Sequence, residues 1–166
     1  MGAAQASAHF ERAAESDVEQ LMRWFPDAAS TRAWGGPFFR HPFDDASFRE
    51  DLRWGRMASF ALRSDAGELL AFGQCYERYG RMNLARLAVS PAQRGRGLGR
   101  RFIATLMDAA RSELSLDEFS LFVYRDNHPA LRCYSSLGFR PADYPEGAPL
   151  AGEAIYMLRR ADAVGT

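Results

Sequence analysis

The sequence contains no lysine, and its 21 basic residues of the lysine and arginine type are all arginine. This absence excludes a Schiff-base lysine, a catalytic lysine and the lysine of a Walker phosphate-binding loop. Cysteine is scarce: Cys75 and Cys133 stand far apart, so the sequence indicates neither a disulfide framework nor a zinc site. The formal net charge is zero, and the chain therefore lacks the basic surplus expected of a protein that binds nucleic acid.

Long apolar runs are also missing. No run reaches the length needed to span a membrane, and the first residues lack the charged and apolar blocks of a signal peptide. The three histidines, His9, His41 and His128, are scattered singly and form no metal-binding pattern. We therefore expect a cytoplasmic protein with no membrane partner and no metal, whose 166 residues form one domain, 1–166.

Hydrophobic patterning predicts both strands and helices. A strand "AHFERAA" precedes a helix "SDVEQLMRWF", for which Ser16 and Glu19 have the spacing of a capping box. The stretch "PDAASTRAWGGPFFRHPF" is rich in proline, glycine and aromatic residues and is predicted to be irregular, before "DASFREDLRWG" resumes helical spacing. Three successive strands, a helix from Leu98, a strand, a short helix after Asn127 and a last strand "EAIYMLRR" complete the order. This order indicates an α/β or α+β fold with a mixed sheet.

A glycine-rich and arginine-rich stretch, "SPAQRGRGLGRRF", stands between the third of those strands and the long helix. A strand, a glycine-rich turn and a helix start together form an anion site, because the first helical N–H groups have no internal partner and the helix dipole favours negative charge. The dinucleotide fingerprint GxGxxG does not fit, since Arg100 and Phe102 occupy its third glycine position in the two available registers. The spacing that fits is RxxGxG, formed by Arg94, Gly97 and Gly99.

Two segments carry a family resemblance. "LAVSPAQRGRGLGRRFIATLMDAA" resembles the pyrophosphate-binding motif of the GNAT superfamily of acetyl-CoA-dependent N-acetyltransferases. About thirty residues further on, "RDNHPALRCYSSLGF" is similar to the NxxAxxxYxxxGF segment of that family, through Asn127, Ala130, Tyr134, Gly138 and Phe139. The resemblance implies a mixed, mostly antiparallel sheet, splayed at the acetyl-CoA site and flanked by about four helices. It divides the domain into an acceptor side, 8–80, the acetyl-CoA motifs, 81–139, and C-terminal strands, 140–160.

The resemblance also implies individual roles. The cofactor pyrophosphate is expected on the loop and helix start, formed by Arg94, Gly95, Arg96, Gly97, Leu98, Gly99 and Arg100. The strand segment Leu87, Ala88 and Val89 is expected to pair with the pantetheine arm, with the Val89 N–H polarising the acetyl carbonyl. Asn127 is expected to bond the pantetheine region and Tyr134 to protonate the departing thiolate. Helix capping by Asn127 and core packing of Tyr134 remain open as alternative roles.

The general base is where the sequence departs from one family pattern. Some members carry glutamate at the position that aligns with Asn83, and an asparagine side chain cannot take up a proton. Glu77, Asp126 or a water relay are the remaining candidates, and an ordinary surface role for Glu77 stays open.

The sequence leaves open which acceptor is acetylated and whether the protein is catalytic. The function expected is acetyl transfer to a primary amine on a small molecule, held by the aromatic N-terminal part, with Asp44, Asp45 or Glu77 attracting its cation. One alternative is a protein N-terminal or lysine acetyltransferase. Another is a non-catalytic acetyl-CoA sensor. The absence of a glutamate at Asn83 favours this alternative, whereas the presence of Tyr134 argues against it. A homodimer is also compatible with the resemblance.

Overall fold

The computed structural model describes residues 7–113, 116 and 118–160. Within them lie five α-helices: α1 (Glu15–Met22), α2 (Ala28–Gly35), α3 (Asp45–Asp51), α4 (Leu98–Glu113) and α5 (His128–Ser136). A 3-10 turn covers Pro91–Gln93. The strands are β1 (Ala8–Arg12), β2 (Ala58–Ser64), β3 (Leu69–Arg78), β4 (Arg81–Val89), β5 (Glu118–Tyr124), β6 (Arg140–Ala142) and β7 (Ala154–Arg160).

The strands form one seven-stranded sheet in the order β1-β2-β3-β4-β5-β7-β6. β1 pairs antiparallel with β2, and β7 pairs antiparallel with both β5 and β6. β4 and β5 pair in parallel, with Met82 opposite Phe119 and Asn83 opposite Ser120. The predicted mixed, mostly antiparallel sheet is therefore confirmed.

The chain groups into two compact units, one formed by Met1–Gln74 and Arg86–Phe102, the other by Cys75–Ala85 and Ile103–Thr166. The first unit has an aromatic core in which Phe48 lies fully buried against the rings of Trp34, Phe39 and Phe43. Aliphatic side chains from α1, β2 and β3, together with Leu52 directly after α3, complete that core, among them Val18, Leu21, Ala61 and Leu69.

The second unit buries one face of α4 and the strand β5. Leu106 and Ala110 of α4 are fully buried, as is Phe119 of β5. The helix predicted from Leu98 is confirmed, and Leu106 and Ala110 share its buried face, because residues four apart lie one above the other on a helix. Phe139, which follows α5, is also fully buried.

Two local predictions are corrected. α1 begins two residues earlier than predicted: the N-cap is Ala14, and the Asp17 carboxylate accepts its backbone N–H at 2.7 Å. Ser16 is therefore inside the helix and does not cap it. The stretch predicted to be irregular contains α2, which Asp27 caps by accepting the Ser30 N–H at 2.7 Å. Asp27 and Ser30 have the spacing of an N-terminal cap, a signal that the many aromatic residues and glycines obscured.

Candidate functional site: a glycine-rich helix start

The loop between β4 and α4 is exposed, and its backbone adopts conformations that favour glycine. Gly95 and Gly97 have φ of 79° and 77°, in the left-handed region that L side chains rarely adopt. Apart from the chain neighbours, no described residue has an atom within 4 Å of where a Cβ would stand at either position. The two glycines are thus required by backbone conformation and leave open space in front of the loop.

A run of backbone N–H groups at this loop has no acceptor in the described part of the chain. The first helical bond of α4 is donated by the Arg101 N–H to the Gly97 carbonyl, at 3.2 Å. From Gly95 to Arg100, six consecutive N–H groups donate to none of the described residues. Such a run at the N-terminus of a 16-residue helix is suited to an anion, because both the free donors and the helix dipole attract negative charge.

The loop arginines add positive charge around these donors. Arg94, Arg96 and Arg100 are exposed, and none of the three forms an ion pair with a described acidic residue. Arg96 donates to the Gln93 amide oxygen at 3.2 Å, which leaves its charge uncompensated. The loop therefore presents both directional N–H donors and exposed cationic side chains, a combination that fits a diphosphate.

Gly99 has a different role from Gly97. It lies in the first turn of α4, and a Cβ there would stand 3.4 Å from Cγ2 of Val89, the last residue of β4. The glycine thus allows the start of the helix to approach the end of the strand. Leu87, Ala88 and Val89 are each half-buried.

The second motif forms the start and body of α5. The Asn127 side-chain oxygen accepts the Ala130 N–H at 3.3 Å, so the alternative role of Asn127 as a helix cap is confirmed, and its bond to the pantetheine region stays a prediction. Tyr134 is half-buried, with its ring 6.2 Å from the Phe139 ring. Its hydroxyl makes no hydrogen bond to a described residue, and burial raises the pKa of Tyr134 above its usual value. A phenol in this state stays protonated at neutral pH and can donate a proton.

The candidate bases lie in different surroundings. Asn83 is buried, and its side-chain oxygen accepts the Ser120 hydroxyl at 3.1 Å. This bond joins β4 to β5 and gives Asn83 a structural role. Glu77 near the end of β3 and Asp126 before α5 are both exposed.

Most of the N-terminal aromatic residues belong to the core of the first unit or pack against it. Phe25 and Phe39 are buried, whereas Phe38 is 78% exposed. A cavity of about 490 Å³ opens within residues 28–42, and Arg32 and His41 are among the residues that line it. Two of the three acidic residues expected to attract an amine are engaged: Asp44 accepts the Ser47 N–H at 2.7 Å and Asp45 pairs with Arg49 at 3.0 Å.

The comparisons with known proteins identify the family. The acetyltransferase (GNAT) family profile matches residues 19–139, which is most of the chain. This chain belongs to that family. Both motifs lie within the matched range.

The chain is also similar to particular members. It is 35% identical over 112 residues to the mycothiol acetyltransferase of Clavibacter sepedonicus, covering 63% of this chain and 36% of that protein. The chain spans 20% to 44% of the length of the curated relatives it matches.

Solved structures share the fold across nearly the whole chain. The ribosomal-protein-S18-alanine N-acetyltransferase from Escherichia coli superposes with a TM-score of 0.66 at 21% identity, covering 96% of this chain and 97% of that one. The spermidine N-acetyltransferase from Vibrio cholerae, in complex with CoA and spermine, gives 0.70 at 15% identity, covering 93% and 95%. At these identities the likeness establishes the fold, and the predicted GNAT-like architecture is confirmed.

No helix in residues 7–113 or 118–160 combines the length and apolar character that crossing a bilayer demands. The expected cytoplasmic location and the homodimer stay predictions.

Proposed function

We propose that this chain binds acetyl-CoA at the loop between β4 and α4 and transfers the acetyl group to a primary amine on a small molecule. The observation that carries the proposal is the run of six backbone N–H groups, from Gly95 to Arg100, for which the described chain supplies no acceptor. In this proposal they bind the pyrophosphate, and Arg94 and its neighbours balance its charge. Family membership supports acetyl-CoA as the diphosphate that the loop binds.

The other residues are assigned roles in binding the pantetheine arm and in the transfer of the acetyl group. Leu87, Ala88 and Val89 pair with the pantetheine arm, as a peptide pairs with a strand edge, and the Val89 N–H polarises the acetyl carbonyl. The amine nitrogen attacks the carbonyl carbon within one ternary complex, and the carbon–sulfur bond breaks.

Two protons move in this reaction. The departing thiolate takes a proton from the Tyr134 hydroxyl, whose raised pKa keeps it protonated. The proton lost by the attacking amine passes to water or to Glu77, which is exposed and has no ion-pair partner among the described residues. Asn83 cannot take that proton, because its amide is not basic.

The acceptor is assigned to residues 8–80. The cavity within residues 28–42 supports this, since about 490 Å³ lies in the range of small-molecule sites. Arg32 and His41 in its lining favour an acceptor that carries an anionic or polar group besides its amine. A protein acceptor remains the second candidate, because the structural neighbours include enzymes named for a ribosomal protein as well as for spermidine.

The first experiment measures acetyl-CoA binding by calorimetry and the release of free CoA thiol with a panel of amines and peptides. The chain has no lysine, so thiol release cannot arise from acetylation of its own lysine side chains. Turnover on small amines supports the proposal, and turnover on peptides alone replaces it with a protein acetyltransferase. Binding without turnover on any acceptor favours a sensor, and absence of binding refutes the proposal.

A matched pair of variants tests whether Tyr134 is the general acid. Tyr134→Phe removes the hydroxyl and is expected to lower kcat while leaving acetyl-CoA affinity unchanged. Tyr79→Phe makes the same chemical change at a tyrosine that is 49% exposed, outside both motifs, and should behave as the wild type. Equal rates in all three proteins would rule out Tyr134 as the acid.

A further inference from the structure

In strand β4, Arg86 has a backbone conformation that residues with a side chain rarely adopt. Arg86 has φ of 49°, in the left-handed region, in a strand where extended backbone is the rule. A residue in this conformation within a strand bends it, as in a bulge, and changes the direction of the residues that follow. Those residues are Leu87, Ala88 and Val89.

The Arg86 side chain is held by groups from three other parts of the first unit. Its guanidinium donates to the Gln74 side-chain oxygen on β3 at 2.8 Å and lies 3.6 Å from the Met57 sulfur. It also stands 5.8 Å from the centroid of the Phe39 ring. These contacts keep the half-buried side chain on one side of the strand and oppose rotation of the backbone to extended values.

Gln74 is itself fixed in orientation. It is completely buried, and its amide nitrogen donates to the Leu52 carbonyl at 2.8 Å and to the Ser59 hydroxyl at 2.9 Å. The Ser59 hydroxyl donates in turn to the Met57 carbonyl at 3.0 Å. Because both N–H donors point to acceptors, the Gln74 oxygen must face Arg86.

We propose that Gln74 and Arg86 are positioning residues: the buried amide holds the arginine, and the arginine holds the bend in β4 that directs Leu87–Val89 toward the acetyl-CoA pantetheine arm. This inference rests on the proposed function. It assigns the two residues no contact with the acetyl group. It also links Leu52, directly after α3, and Ser59 of β2 to the donor-binding strand, because both supply acceptors for the Gln74 amide.

Two substitutions at one position separate backbone conformation from side-chain contact. Arg86→Ala removes the anchor but keeps a Cβ, so the strand is expected to relax and acetyl-CoA Kd to rise about tenfold. Arg86→Gly removes the same anchor but accepts a positive φ without strain, so its Kd should stay within about threefold of the wild type. Gln74→Met, which removes the acceptor, should resemble Arg86→Ala.

Hydrogen exchange of peptides covering residues 84–90 gives a readout that does not depend on acetyl-CoA. We expect faster exchange in Arg86→Ala and Gln74→Met than in Arg86→Gly, with thermal unfolding confirming that each variant is folded. If Gln74→Met does not fold, the two Arg86 variants still decide the question.

Two results would overturn the inference: Arg86→Ala binding as the wild type does, or Arg86→Gly binding as weakly as Arg86→Ala. The first means that the bend needs no anchor, and the second that the arginine acts through its side chain alone. A wild-type protein that fails to bind acetyl-CoA refutes the proposed function. The exchange comparison then still shows whether Gln74 and Arg86 hold the strand, and equal exchange in all variants overturns that as well.

Discussion

Replacing Gly97 by alanine adds a single methyl group to the proposed anion-binding loop and so tests that proposal. Gly97 has φ of 77°, and a Cβ at this position would meet no described residue beyond its chain neighbours within 4 Å, so the substitution introduces no clash. The remaining penalty is the cost of a left-handed backbone for an L residue, about 1–2 kcal/mol. Because the loop is exposed, we expect it to relax in the free protein and to recover its conformation only when acetyl-CoA binds. The penalty then appears in binding, as an acetyl-CoA Kd about 5- to 30-fold higher.

Gly99→Ala is the matched control two residues away. Its Cβ would meet Cγ2 of Val89 at 3.4 Å, the edge of ordinary van der Waals contact, and alanine in a helix is favoured over glycine by about 1 kcal/mol. The backbone N–H is kept, so Kd should change by less than about twofold. Calorimetric titration with acetyl-CoA measures both variants, and thermal unfolding measures their stability. Wild-type affinity in Gly97→Ala, or an equal loss in the two variants, would refute the assignment of this loop.

The remaining predictions concern the acid and the core. Burial raises the pKa of Tyr134, so the acid form persists as pH rises; the rate should show no alkaline loss attributable to Tyr134 below about pH 10, a point that a pH–rate profile of kcat checks. Arg63→Met leaves the fully buried Asp17 carboxylate, bonded to Arg63 at 2.8 Å, without its partner. We expect a loss of about 3–5 kcal/mol in the free energy of unfolding by urea, and a loss below about 1 kcal/mol would contradict a buried ion pair. Phe48→Ala empties the centre of the aromatic core and should cost about 3–5 kcal/mol in the same assay, with exposed Phe38→Ala as the near-neutral control.

The order of the elements and the glycine-rich loop were predictable because their signals are local. The α4 helix follows from apolar residues three and four apart, and the loop before it from closely spaced glycines. The start of α5 follows from an asparagine cap with proline in the first turn. In each case the residues that determine the structure lie within one or two turns of one another.

The corrections arise where distant residues compete with a local signal. Ser16 and Glu19 have the spacing of a capping box, but Asp17 is bound to Arg63, 46 residues away, and caps the helix at Ala14 instead. Phe38 and Phe39 are adjacent and chemically identical, yet only Phe39 is buried. Nothing in the local pattern separates these alternatives, because burial depends on which elements pack above the residue.

Local chemistry therefore determined the strand and helix order, the positive-φ glycines of the loop and the family motifs of this chain. The tertiary structure decided that Asn83 bonds Ser120 in the sheet and that Arg86 takes a left-handed conformation in β4. An arginine has no intrinsic preference for positive φ, and this one keeps it through Gln74, whose donors are satisfied by Leu52 and Ser59. Such a conformation depends on buried hydrogen bonds between residues far apart in the sequence, and it exists only once the strands have paired.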